Sequence, residues 1–219
     1  MEKEIHLPVS EKEVRKLKVS DIVYVSGTVH TMRDMGHRRA VEMIKRGEEL
    51  PFNLKEGAIW HCGPIARKVG DTWEIVSAGP TSSSRFTELG SELVRKLNVR
   101  LTIGKGVMGK SMIEALKETG GVYLVATGGC AALYAKQIVK VENVHWLDLG
   151  MPEATWVLKV NKLGPLVVGI DSSGNTLESI VLEKVYKNVN AVYAKEKIDP
   201  SRSYVWWPKK IPGSTDFTK

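Results

Sequence analysis

The sequence predicts an α/β domain built on a mixed sheet flanked by helices, and three observations carry that reading. Short apolar, β-branched runs alternate along the chain with segments whose apolar residues recur every three to four positions, the strand and helix periods in turn. At 219 residues, 42% hydrophobic and 26% charged, the chain has ordinary globular composition and length enough for one generous core. Its middle strands are bounded by helices, which implies parallel neighbours within the sheet.

Taken in order, residues 21–29 read as a strand, and Met35, Ala40, Met43 and Ile44 form a 3.6-period stripe on a helix with Asp34 as its cap. Residues 57–64 are apolar and strand-like. Residues 66–69 and 72–78 flank Gly70-Asp71, a pair suited to closing a hairpin. A polar loop at 79–85 leads into a helix carrying Phe86, Leu89, Leu93 and Leu97. A strand at 99–103 then precedes a helix near 108–118, and a strand at 122–126 precedes a helix near 130–140. Residues 155–160 and 166–170 read as paired strands. Asn175, with Glu178 three positions on, caps a final helix whose buried face would be Leu177, Ile180, Val181, Val185 and Val189. One domain is expected over 1–195, with 196–219, which holds Pro200, Pro208 and Pro212, as an irregular extension.

Composition narrows the function classes. No apolar run approaches the ~18 residues that span a bilayer, and the first residues are charged, so a cytoplasmic protein without membrane contact is expected. Cys62 and Cys130 are too few for a disulfide framework or a three- or four-thiolate metal site, so any metal would be held elsewhere. The net charge of +7 admits nucleic acid or small anions. Basic residues cluster in 33–46 and in the C-terminal extension, and only Trp206 and Trp207 beside Lys209 and Lys210 approach the aromatic-basic interleaving of a strand-binding face. Nucleic acid is therefore not expected, and the tail reads as a solvated or partner-docking extension.

Three polar loops, 28–38, 79–85 and 103–111, each follow a strand and precede a helix, where α/β sheets place ligands and backbone N–H groups favour anions. The third fits G-x-x-x-x-G-K-[ST] through Gly104, Gly109, Lys110 and Ser111, so a P-loop nucleotidase is one reading. It would need a magnesium-binding acid, for which Asp148 and Asp171 are available. The other reading uses all three loops. Arg33, Arg85 and Lys105 would bring three cations to one rim and grip a dicarboxylate. A single Arg beside an Asp is ordinarily a solvated pair, and Thr81 with its three serines ordinarily caps a helix; the joint pattern is what points to a site.

That joint pattern resembles a family. Arg33-Asp34 with His37, Gly63-Pro64, the run from Ser77 through Gly79-Pro80-Thr81 to Arg85, Gly104-Lys105-Gly106, Thr127-Gly128-Gly129-Cys130, Glu153-Ala154-Thr155-Trp156 and Asp171-Ser172-Ser173-Gly174-Asn175 occur in that order. Over about residues 20–193 the series is similar to the beta subunit of iron-sulfur (class I) fumarate hydratase and of L-tartrate dehydratase, the equivalent of the C-terminal domain of single-chain forms. The resemblance implies a swivelling β/β/α fold and a hydro-lyase interconverting fumarate and L-malate, with tartrate or another hydroxy diacid as the alternative substrate. It implies a [4Fe-4S] cluster held by a separate alpha subunit, none on this chain, an α2β2 assembly, and a homodimer as the alternative for the isolated chain. By motif, Arg33, Arg85 and Lys105 bind the substrate carboxylates and Thr81 is the base for the C–H proton. His37 and His30 are alternatives to Thr81. Cys130 reads as a structural thiol, and Val107 stands where another Gly is expected.

Overall fold

The computed structural model describes residues 2–199 and 201. The chain divides into two compact units, Met1–Ser179 and Ile180–Lys219. The first holds nine strands, β1 (Glu2–His6), β2 (Ile22–Thr31), β3 (Ala58–Trp60), β4 (Ile65–Val69), β5 (Thr72–Ser77), β6 (Leu101–Gly104), β7 (Val122–Ala126), β8 (Ile138–His145) and β9 (Thr155–Ile170). Between them run helices α1 (Glu11–Val14), α2 (Asp34–Lys45), α3 (Thr87–Leu97), α4 (Lys110–Thr119) and α5 (Ala131–Lys136).

The expected mixed sheet is present. Strands β1, β2, β3, β6 and β7 lie parallel in that order, and β9 joins antiparallel to β7 with β8 beyond it. Because β9 also pairs along its length with β2, the strands β2, β3, β6, β7 and β9 close into a ring. Closure removes the edges a five-stranded sheet would expose.

Successive residues of these strands face opposite ways, and each face has its own core. Trp60, Ile103, Leu124, Trp156 and Leu158 belong to the inner cluster, whereas Ile59, Tyr123 and Ile170 face a second cluster with Met32, Phe86, Leu93 and Leu116. Helices α2, α3 and α4 supply the second cluster and lie over the sheet. That gives the helix-covered ring of the β/β/α expectation. The antiparallel ribbon of β4 and β5 covers the inner core from another side, with Trp73 edge-on to Trp156 at 5.3 Å.

Several expectations are corrected. Residues 155–160 and 166–170 do not pair with each other; they are one 16-residue strand, β9, that changes neighbour from β8 to β7 part-way along. A long strand shared between two partners has the local composition of two short ones, so periodicity divides it. The helix expected at 130–140 stops at Lys136, and the β-branched Ile138 and Val139 open β8 instead. Asp34 is the first residue of α2 rather than its cap; Arg33 occupies the cap position with no side-chain bond. The strand β1 has no counterpart in the sequence reading.

The helix α6 (Leu177–Lys195) is also capped differently. Thr176 Oγ1 accepts the Ser179 N–H at 3.0 Å, while the Asn175 amide donates to Asp171. No residue of α6 is buried among the described residues; Leu177 and Val189 are half-exposed, and Ile180, Val181 and Val185 are exposed. The expected buried face is not buried, because periodicity records amphipathicity and not what covers it. Trp206, Trp207, Lys209 and Lys210 lie outside the described residues. No helix among the described residues is long and apolar enough to cross a membrane.

Candidate active site

Parallel strands deliver their following loops to one edge of the sheet. At this edge β2 leads to Arg33, β3 to His61 and Gly63, β6 to Lys105, and β7 to Gly128. The 79–86 segment lies across them, bridged through Pro80 to Cys62 and through Ser82 to Lys105. All four residues singled out by the sequence, Arg33, Thr81, Arg85 and Lys105, therefore belong to segments that meet at this edge.

Arg33 is held from two sides. Its Nε stands 3.3 Å from Glu153 Oε1, an ion pair without hydrogen-bond alignment, and the other Glu153 oxygen accepts the Met35 N–H at 2.8 Å. A Cβ on Gly63 would meet Arg33 Cδ and Nη1 at 2.8 Å, so only glycine admits the arginine here. The Glu153-Ala154-Thr155-Trp156 motif closes this corner. The Trp156 N–H donates to Thr31 Oγ1 at 3.0 Å, and that hydroxyl donates to the Ala154 carbonyl at 3.4 Å.

Arg85 sits in a 3₁₀ turn (Ser83–Phe86), donates to Asp34 Oδ2 at 3.0 Å and lies over the Phe86 ring at 5.3 Å. The two partners are 48% and 43% exposed, and a pair so solvated is worth at most about 1 kcal/mol. Asp34 thus holds Arg85 only weakly. The Lys105 stem runs along Gly128, whose Cβ would stand 3.2 Å from Lys105 Cδ. No ion pair to the Lys105 ammonium forms among the described residues. The Thr81 N–H donates to the His61 carbonyl at 2.7 Å.

Beneath this rim lie Ser83 and His61, to which the sequence reading gave no role. Ser83 is fully buried between exposed Ser82 and Ser84, and its Oγ meets His61 Nδ1 at 2.9 Å and the Lys105 N–H at 3.0 Å. His61, His37 and Phe86 form a buried ring cluster, with His37 stacked on Phe86 at 4.9 Å and His61 5.2 Å from His37. Burial, opposed by the Arg33 carbonyl and Asp34, brings His37 down to about 4; burial and then the neighbouring His37 hold His61 well below the ordinary imidazole range. Both rings are therefore neutral. A run of three serines carries no sign of which one is buried, and a single His after an apolar strand is unremarkable.

The family model for the C-terminus of fumarase matches residues 1–180. The chain belongs to the Fumarase C-terminus family. The matched stretch ends within one residue of the first compact unit. The beta subunit of L(+)-tartrate dehydratase from Escherichia coli strain K12 is 42% identical over 177 residues, 81% of this chain and 87% of that one. A Methanocaldococcus jannaschii protein named provisionally as the same subunit is 48% identical over 183 residues, covering 83% of this chain and 94% of its own. A Geobacillus stearothermophilus protein named provisionally as a class I fumarate hydratase is 38% identical over 195 residues, which are 87% of this chain but only 37% of that larger one.

Within this family member the P-loop pattern is incidental. The strand β6 and helix α4 do flank Gly104 and Lys110, but the Lys110 ammonium is exposed and faces Glu114 at 3.7 Å. The Lys105 and Gly109 amides are already taken by Ser83 and Thr87. Asp171 follows the end of β9, which pairs with the start of β7, so it lies at the opposite end of the sheet from Gly104. There its carboxylate organises a turn by accepting the Ser173 and Asn175 N–H groups. Asp148 is gripped by both Arg39 nitrogens at 2.9 and 2.6 Å. Of the alternative histidines, His37 is wholly buried behind the rim, and His30 packs against Phe52 away from it. Cys130 is half-buried beside the inner core and Cys62 is fully buried, its thiol pushed up by burial against a small opposing effect of Arg33.

Proposed function

We propose that this chain is the beta subunit of a hydro-lyase that interconverts fumarate and L-malate at a site shared with an alpha subunit. One observation carries the reading: a single sheet edge gathers Arg33, Arg85 and Lys105 around the Thr81 segment, with the Lys105 ammonium unpaired among the described residues. Taking a proton from the carbon next to a carboxylate builds negative charge on that carboxylate. Cations fixed there in advance bind the transition state more tightly than the ground state. Arg85 and Lys105 flank the Thr81 segment and serve that role, with Arg33 on the second carboxylate. Thr81, its hydroxyl proton already lost to solvent and its alkoxide stabilised by those cations, accepts the C–H proton and becomes the neutral hydroxyl.

Among the described residues no group of three or more His, Cys, Asp or Glu stands together as a metal site. In the proposal a [4Fe-4S] cluster belongs to the alpha subunit and supplies a Lewis acid for the substrate hydroxyl when bound. The chain contributes the cations, the base and a wall of the pocket, within an α2β2 assembly. Two relatives with tartrate in their names favour L-tartrate as a second reading of the substrate.

The test is reconstitution. The isolated chain is expected to be inactive and to gain turnover when mixed anaerobically with its alpha subunit; rates on fumarate, L-malate and L-tartrate then rank the substrates. Full activity of the isolated chain would refute a divided site, and a reconstituted complex inert toward all three diacids would refute the hydro-lyase.

A further inference from the structure

The serine run holds one residue that the proposed chemistry does not use. Ser83 has no exposed surface, yet its hydroxyl is the meeting point of three segments. Its Oγ accepts the Lys105 N–H at 3.0 Å, meets His61 Nδ1 at 2.9 Å and lies 3.4 Å from the Thr81 carbonyl. The backbone repeats the same connections. The Ser83 N–H donates to the Lys105 carbonyl at 2.9 Å, the Thr81 N–H to the His61 carbonyl at 2.7 Å, and the His61 N–H to the Ile103 carbonyl at 2.7 Å. Thr81 and Arg85 sit two residues to either side of Ser83.

Proton placement follows from the donors. The Lys105 amide can only donate, so Oγ accepts there and has its own proton to give. With Nδ1 unprotonated, that proton goes to His61 at 2.9 Å; with Nδ1 protonated, the ring donates to Oγ and the hydroxyl donates to the Thr81 carbonyl at 3.4 Å, so the three segments are joined in either tautomer. Gly104 completes the fit. A Cβ at that position would stand 1.9 Å from Ser83 Oγ and 2.8 Å from His61 Nδ1, so the hydroxyl occupies the space that any other residue at 104 would fill.

We propose that Ser83 is a positioning residue: seated on His61, its hydroxyl locks the Thr81–Arg85 segment to Lys105, so that base and carboxylate-binding cations are held as one unit. The inference rests on the hydro-lyase reading for its kinetic consequence but not for its structural one. A displacement of about 1 Å in a reacting group costs on the order of 100-fold in rate. The effect should fall on kcat, since the substrate-binding cations themselves remain.

The test uses the reconstituted complex. Ser83→Ala should lower kcat about 100-fold with KM changed less than about threefold, and His61→Leu should do the same. His61→Asn, whose amide oxygen can stand where Nδ1 stands, should recover most of the loss. The double variant Ser83→Ala/His61→Leu should be no worse than either single one, because both remove one device. Multiplying losses, or Ser83→Ala turnover within threefold of wild type, would overturn the proposal. A readout on the isolated chain is independent of activity. Hydrogen exchange at the Lys105 amide should accelerate at least tenfold in Ser83→Ala while the urea midpoint shows the chain still folded. Unchanged exchange overturns the latch; a wild-type complex with no hydro-lyase activity overturns only the functional reading, and the exchange result still decides the latch.

Discussion

Lowering the pH from 7 to 5 should remove several kcal/mol from the stability of this chain, because three of its histidines are buried uncharged. His30 is 6% exposed; burial, and then the nearby His145, bring it down to about 4. His37 comes down to about 4 through burial, and His61 lies well below the ordinary value for the same reason. An imidazole in the unfolded chain titrates near 6.5. Between that value and about 4 the unfolded state binds a proton that the folded state refuses, so stability falls with pH by about 1.4 kcal/mol per unit for each ring. From 6.5 to 5 this is about 2 kcal/mol apiece, or about 4 kcal/mol for His30 and His37 together, with His61 adding in the same direction. A typical domain holds only about 5–15 kcal/mol in all. The paired acids do not blur the window. Glu11, Glu118 and Asp148 are held below their ordinary range, chiefly by hydrogen bonds from arginines, so they stay ionised at pH 5. Urea unfolding of the isolated chain at pH 7, 6 and 5 measures the slope, and His37→Gln should reduce it by one ring's share. A stability constant within 1 kcal/mol from pH 7 to 5 would refute the assignment of these rings as buried and neutral.

Other outcomes follow from the site and the core. Arg85→Ala and Lys105→Ala should each lower kcat/KM of the reconstituted complex by about 100-fold or more, since each removes a fixed charge facing developing charge, and Arg85→Lys should not restore a bidentate grip; steady-state rates on the preferred diacid check this. Gly104→Ala should destabilise the chain by about 1–3 kcal/mol, because its Cβ would stand 1.9 Å from Ser83 Oγ and must push that hydroxyl aside; a urea midpoint measures it. Trp156→Ala, at a side chain with no exposed surface in the inner core, should cost about 3–5 kcal/mol in the same assay.

The alternation of helix and strand periods was legible along most of the chain because each signal is local. The strands at β2, β6 and β7 and the helices α2 to α4 needed only side-chain spacing to be seen. Spacing failed where one element has two environments. β9 carries a break in its pattern because it changes neighbours, and α6 carries an apolar stripe that no described residue buries. That Arg33, Arg85 and Lys105 lie in loops that follow strands was likewise legible, whereas Thr81 joined them only through the family resemblance.

Sequence alone therefore determined the α/β class and the ordered motifs, both of them properties of short segments. Tertiary structure decided the rest. The parallel pairing of β2, β3, β6 and β7 sets which loops share an edge, the β7–β9 pairing places Asp171 at the far end from Gly104, and contacts with His61 and Lys105 turn one of three adjacent serines inward. Those outcomes and the closure of β2 against β9 depend on contacts between residues about 20 to 145 positions apart, and no local periodicity records which distant partner a side chain will meet.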